Sequence, residues 1–144
     1  MERLIQVLIE LNFLPEDLPE IRQIMTEIVN MVRSNETDTR GYRWHMNEGQ
    51  DRVYIIQCFN SVEALVLNVN NAGAFLPRLN SISSITKWDI YGNVSEEMAN
   101  RIIAVGQPFN LPMVIHRELT GFTREDLVVA NLHYLGGSRV SVSG

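Results

Sequence analysis

The sequence predicts an α+β fold: a ferredoxin-like βαββαβ sandwich with an antiparallel sheet, followed by a C-terminal helix and an extension. Three observations make the prediction. Segments with apolar residues at every second position alternate with segments of helical spacing in the order β-α-β-β-α-β, then α. The two central strand-like runs are joined by one short polar turn and so form a hairpin between two βα halves. At 144 residues and 45% hydrophobic content, the chain is long enough for one domain with its own core and too short for two. The ferredoxin-like domain is expected over residues 1–124, with an extension over 125–144.

Each element has its local reason. In RLIQVLIELNF, residues 3–13, Ile5, Val7, Ile9 and Leu11 form a wholly apolar face, and Leu4, Gln6, Leu8 and Glu10 a mixed one. After the breaker LPEDLP, the positions Leu18, Ile21, Ile24, Met25, Ile28, Val29 and Val32 recur with the period of a helix stripe. Asp17 and Glu20 suit its start, Ser34 and Asn35 its end. TRGYRWHM (39–46) and RVYIIQCF (52–59) read as strands joined by the turn NEGQD. Ser61 is a good N-cap for a second helix carrying Leu65, Val69, Ala72, Phe75, Leu76 and Leu79, bent or broken around Gly73 and Pro77. SSITKWDIYG (83–92) is a fourth strand, and Ser95 caps a third helix with Glu96 and Glu97 in its first turn. LPMVIHREL (111–119) suits an added strand, DLVVANLHYL (126–135) stays open between helix and strand, and GGSRVSVSG is polar.

Composition excludes several function classes. Seventeen acidic against twelve basic residues give a net charge of -5, and no stretch collects the Lys/Arg stripe that a phosphate backbone requires, so no nucleic-acid partner is expected. No apolar run reaches the roughly 18–20 residues of a membrane span, and the N-terminal apolar segment is interrupted by Glu10 and Asn12. The single cysteine, Cys58, forms neither an internal disulfide nor a cysteine metal cluster. A cytoplasmic protein without membrane contact is the expectation. No GxGxxG, GxSxG or Walker pattern occurs, and LGGSR (135–139) has no helix behind it to make a phosphate loop.

Helices cover one side of such a sheet, so the other must meet water, a ligand or a second subunit. Alternation sets Tyr42, Trp44 and Met46 on one face and Gly41, Arg43 and His45 on the other. Pairing Met46 with Val53 through the turn places Trp44 beside Ile55 and Tyr42 beside Gln57, and a one-residue slip exchanges Gln57 for Ile56. Lys87, Asp89 and Tyr91 share one face of the fourth strand, Trp88 and Ile90 the other. Gln6, Glu10, Gln57, Lys87 and Asp89, with several aromatics, are expected on mixed faces at a subunit interface around a small cavity.

At this point the chain resembles a family. GYRWHMNEGQDRVYIIQCFNSVEALVLNVNNAGAFLPRL followed by WDIYGNVSEEM is similar to the antibiotic biosynthesis monooxygenase type of dimeric α/β barrel, from about residue 37 to 98 and on to GFTR at 121–124. The shared features are the hairpin, the S-x-E-A start of the second helix and the closing Y-G-x-x-S. The resemblance implies a homodimer whose sheets face each other, a pocket in each subunit, and oxidation of quinols or polycyclic phenols by molecular oxygen without a cofactor. Two positions depart from the pattern. Gln57 stands where a Glu is common, and Asn68 stands where relatives that degrade haem carry their axial histidine, which argues against haem here.

The candidate catalytic residues are therefore Asn68, Trp44 and Tyr42, and the candidate substrate-binding residues Tyr42, Trp44, Gln57 and Asn68, with no metal site and no cofactor. Asn68 can hydrogen-bond a phenol or an anion but cannot act as a base. Each has a plainer role beside the functional one: Tyr42 and Trp44 as packing area, Asn68 as the polar side of a helix, Lys87 with Asp89 as a surface ion pair. His45, His116 and His133 match no metal-site spacing. Two functions follow: a cofactor-independent monooxygenase of a small aromatic or quinol-type substrate, or a noncatalytic module of the same fold that binds a small ligand or mediates dimeric interaction.

Overall fold

A computed structural model describes residues 4–122 and residue 124. Its elements are β1 (Ile5–Phe13), α1 (Leu18–Asn35), β2 (Thr39–Met46), β3 (Arg52–Phe59), α2 (Val62–Ala72), α3 (Leu76–Ile82), β4 (Ser83–Gly92), α4 (Glu96–Gly106) and β5 (Met113–Arg117). The five strands form one sheet in the order β2-β3-β1-β4-β5. β1 pairs antiparallel with both β3 and β4, β2 pairs antiparallel with β3, and β5 joins the edge parallel to β4. The first four strands are the ferredoxin-like sandwich the sequence predicts, and residues 111–119 do contribute the added strand. DLVVANLHYL, His133 and LGGSR lie outside the described residues.

The central strand has the most apolar face. Ile5, Val7, Ile9, Leu11 and Phe13 are all buried and pack with Ile21, Ile24, Ile28 and Val32 of α1, with Leu65 and Val69 of α2, and with Ile102 of α4. All four helices thus draw their buried stripes onto one face of the sheet, because only that face offers an uninterrupted apolar surface. Gln6, Glu10, Lys87 and Asp89 lie on the opposite face, where Glu10 meets Arg52 at 3.3 Å and Lys87 meets Asp89 at 3.4 Å.

The caps behave as their chemistry dictates. Ser61 Oγ accepts from the Ala64 amide at 3.1 Å and Ser95 Oγ from the Met98 amide at 3.2 Å, satisfying donors that a helix start leaves free. Asp17 does not cap α1 with its side chain; a single 3-10 turn, Pro15–Asp17, feeds the helix instead, with Pro19 in its first turn. The expected break after Ala72 is complete. At Gly73 a Cβ would come within 2.6 Å of the Phe109 ring, so this close approach leaves no room for a side chain where the chain turns from α2 into α3.

One irregularity shapes the site. The β1–β4 register shifts between Glu10, opposite Lys87, and Leu11, opposite Ile85. Thr86 is left over, and its hydroxyl accepts from Asn12 Nδ2 at 2.7 Å. The bulge lets Ile85 face the helices with Leu11 while Lys87 faces outward with Glu10.

Candidate functional site

The pairing registers set the site in two rows on the helix-covered face. Trp44 lies opposite Ile55, Ile55 opposite Ile9 and Ile9 opposite Trp88, so a row crosses four strands with an indole at each end. The next row runs Tyr42, Gln57, Val7 and Ile90. Above them α1 contributes Ile28, α2 contributes Asn68 and Ala72, and α3 contributes Leu76 and Leu79. Between the layers is a void of about 370 Å³ counting its open mouth, lined by the whole first row, by Tyr42 and Gln57 of the second, by these helix residues and by Leu11 and Ile85. Its enclosed part admits about one water, so any larger occupant requires the α2–α3 side chains to give.

Tyr42, Trp44, Gln57 and Asn68 are therefore brought together, as the sequence reading groups them. One expectation is corrected. Gln57 does not share a face with Gln6, Glu10, Lys87 and Asp89; it pairs with Val7 and is buried beneath α2. His45, opposite Tyr54, is exposed on the uncovered face, away from the pocket. The aromatic wall faces the helices because β3 places Val53, Ile55 and Phe59 in the same phase as Gln57, and that phase packs on the apolar face of β1.

Behind the polar end of the pocket stands a residue that sequence reasoning missed. Glu36, directly after α1, is 4% exposed and its carboxylate accepts from Thr39 Oγ1 at 2.8 Å, Asn68 Nδ2 at 3.0 Å and Asn71 Nδ2 at 2.9 Å. These bonds set the direction of everything beyond them. With its amide nitrogen turned to Glu36, Asn68 must present its oxygen the other way, where it accepts a long bond, 3.4 Å, from Gln57 Nε2. Gln57 then has its carbonyl oxygen left for the Tyr42 side. Burial pushes the Tyr42 phenol well above its ordinary range; Trp44 and Gln57 beside it oppose the shift and Glu36 adds to it. Tyr42 is accordingly a neutral donor and acceptor near pH 7. The only sign of Glu36 in the sequence is an acidic residue just past a helix end, where solvent is the ordinary expectation.

Trp88 is the second residue missed as a site candidate. It is 4% exposed, and its Nε1, like that of Trp44, is buried with no hydrogen-bond partner among the described residues. No Lys, Arg, His, Asp or Glu lines the void itself. Among the described residues no three His, Cys, Asp or Glu side chains converge as a metal site. Cys58 belongs to the opposite face, paired with Gln6 and Gly41, and burial raises its thiol pKa against the weaker opposing effect of Arg40. His116 meets Asp89 at 3.1 Å and stacks on Tyr91 with ring centroids 4.8 Å apart. Hydrogen bonding from His116, then Lys87, holds the Asp89 carboxyl below its usual range against the opposing effect of burial.

No family model matches the chain, and no curated protein matches it. Solved structures do. MupZ from Pseudomonas fluorescens superposes with a TM-score of 0.73 over 88% of this chain and 94% of its own, at 12% identity. A protein named as an antibiotic biosynthesis monooxygenase gives 0.53 over 63% of this chain and 97% of its own, at 14% identity. Rv0793 from Mycobacterium tuberculosis gives 0.53 over 65% and 97%, at 12% identity. The chain thus has the ferredoxin-like fold of the antibiotic biosynthesis monooxygenase structures, as its sequence resemblance implies, and identities this low speak to fold alone. Among the described residues no helix is long and apolar enough to cross a membrane.

Proposed function

We propose that the chain is a cofactor-independent monooxygenase acting on a small aromatic or quinol-type substrate in the pocket between sheet and helices. The observation that carries the reading is the pocket: apolar floor, indole and phenol walls, and one hydrogen-bonded polar end formed by Gln57 and Asn68, anchored on Glu36. A substrate anion can transfer an electron to oxygen there. An anthrone carbanion, for example, adds oxygen to give a hydroperoxide that loses water, so a CH₂ group and O₂ become a ketone and H₂O. No residue lining the void is a base near pH 7, since Tyr42 is held protonated, which confines the reaction to substrates acidic enough to ionise readily. Oxygen uptake measured over a panel of quinols and anthrones tests the proposal. Uptake that disappears in Asn68→Leu supports it; no uptake across the panel refutes it.

The same lack of a lining base favours a second reading, a noncatalytic holder of a small apolar ligand. Mass spectrometry of small molecules retained by the purified protein, without oxygen uptake, would select it. Both readings include a homodimer joined through the uncovered sheet face, where Ile56, Tyr91 and Val114 are 42%, 40% and 51% exposed beside the Glu10–Arg52 and Lys87–Asp89–His116 groups. A monomer in sedimentation at micromolar concentration would refute that part.

A further inference from the structure

The enclosed part of the void holds about one water, so a wall must move before any ring compound enters. The walls differ in what holds them. The floor strands are locked into antiparallel ladders on both sides of β1. α1 is anchored by Ile21, Ile24, Ile28 and Val32, and α2 by its serine cap, five buried residues and the Asn68–Glu36 bond. α3 has seven residues, no side-chain cap and only Leu76 and Leu79 buried.

Both of those leucines line the void. Part of their surface borders it instead of packed atoms, so the apolar anchors of α3 give up few contacts when they move. Each end of the helix is suited to act as a pivot. The close approach of Gly73 to the Phe109 ring fixes the end of α2 and leaves Ala74 and Phe75 to take up a rotation. At the other end α3 runs directly into β4 at Ser83, whose hydroxyl donates to the Leu79 carbonyl at 2.6 Å.

The remaining hold on α3 lies outside the void. Arg78 reaches over to α1 and donates to the two carboxylate oxygens of Glu27 at 2.7 and 3.3 Å, with Glu20 at 3.6 Å. Gln23 Nε2 donates to one of the same Glu27 oxygens at 2.9 Å and so steadies that carboxylate. Arg78 and Glu27 are 42% and 37% exposed, so salt screens the pair and its hold is readily released.

We infer that α3 is a door, swinging about residues 74–75 and Ser83 to open the void, and that the ion pairs of Arg78 with Glu27 and Glu20 latch it. The inference rests on the reading that the void takes a small ligand, and it assigns the step that admits one.

Hydrogen exchange of the backbone amides in the intact chain tests the motion without any ligand. The amides of residues 79–82 are expected to exchange faster than the protected amides of α1, α2 and β4. Arg78→Gln and Glu27→Gln should each speed them by roughly two- to five-fold, and added sodium chloride should speed them in the wild type. Arg101→Gln, which cuts the equally exposed pair with Glu63, should leave them unchanged. Entry is read with N-phenyl-1-naphthylamine, an uncharged dye that brightens in apolar surroundings. Its uptake should quicken by a similar factor in Arg78→Gln and not in Arg101→Gln, and the salt dependence of the wild type stands even if a variant fails to fold. Uniform exchange across α2, α3 and β4, or dye uptake in Arg78→Gln at the wild-type rate, would overturn the door. Latch-sensitive exchange at α3 with no dye bound would keep the moving helix and overturn the ligand reading of the void instead.

Discussion

Glu36→Ala removes the acceptor that organises the polar end of the pocket, and its cost can be worked from the three bonds it loses. Asn68 is 1% exposed, so its Nδ2 is stranded without water once the carboxylate is gone, at a cost of about 1–3 kcal/mol. Thr39 and Asn71 are only half-buried and can turn to solvent, so each loses no more than roughly 1 kcal/mol. Relief of the desolvated charge works the other way but does not repair the orphaned amide. The net loss is about 1–5 kcal/mol, which for a chain of this length lowers Tm by roughly 3–15 °C. Differential scanning calorimetry reads it. Adding Asn68→Leu to Glu36→Ala removes both partners of the buried 3.0 Å bond and should recover part of the loss, less what is lost when Gln57 Nε2 gives up its long bond, 3.4 Å, to Asn68. A single-variant shift below about 2 °C, or a double variant worse than the sum of the two, would refute the claim that Glu36 anchors Asn68.

Three further outcomes follow from particular contacts. Asp89 is held below its ordinary value of 3.8 by His116 and Lys87, so in that range the unfolded chain binds more protons than the folded one; the stability this contributes is present above about pH 4 and lost as pH falls through the folded pKa. Thermal melts between pH 3 and 6 should therefore fall less steeply toward acid in Asp89→Asn, and parallel curves would refute the pairing. Gly73→Ala drives a Cβ against the Phe109 ring at 2.6 and 2.9 Å, for a loss of roughly 1–3 kcal/mol that should shrink in a Phe109→Ala background; additive losses in the double-mutant cycle would exclude the contact. Cys58 is buried with a raised thiol pKa, so a disulfide reagent at pH 7.5 should label it at least about ten-fold faster in denaturant than in the native chain, and equal rates would contradict its burial.

What was legible in the sequence was local. Counting through the five-residue turn after Met46 offers two registers one residue apart, and the observed one pairs Trp44 with Ile55 and Tyr42 with Gln57. The serine caps and the helix break at Gly73 are equally local and equally readable. The face of the hairpin is not. RVYIIQCF is apolar in both phases, so alternation separates Tyr42 and Trp44 from His45 without saying which set meets the helices. That choice is made by β1, whose odd positions are wholly apolar and whose Val7 lies opposite Gln57 some fifty residues away in sequence. Gln57 therefore looked like part of the mixed face, because a lone polar residue in a strand is ordinarily turned outward.

Glu36 and Trp88 were illegible for the same reason at greater distance. The partners of Glu36 at Asn68 and Asn71 lie 32 and 35 residues downstream on another element. Trp88 meets the row of Trp44 only because β1 lies between β3 and β4 in the sheet, so that strands distant in the chain share one line of side chains. Both facts bear on what the pocket can do. Asn68 and Gln57 are amides that could present either end to a ligand, and it is the carboxylate outside the pocket that fixes which end faces in. The Glu36→Ala variant, if it folds, should therefore lose the orientation of Gln57 while keeping the indole donors in place. Loss of oxygen uptake in that variant, with its fold intact by circular dichroism, would show that the orientation of the amides contributes to what the pocket accepts, and unchanged uptake would refute it.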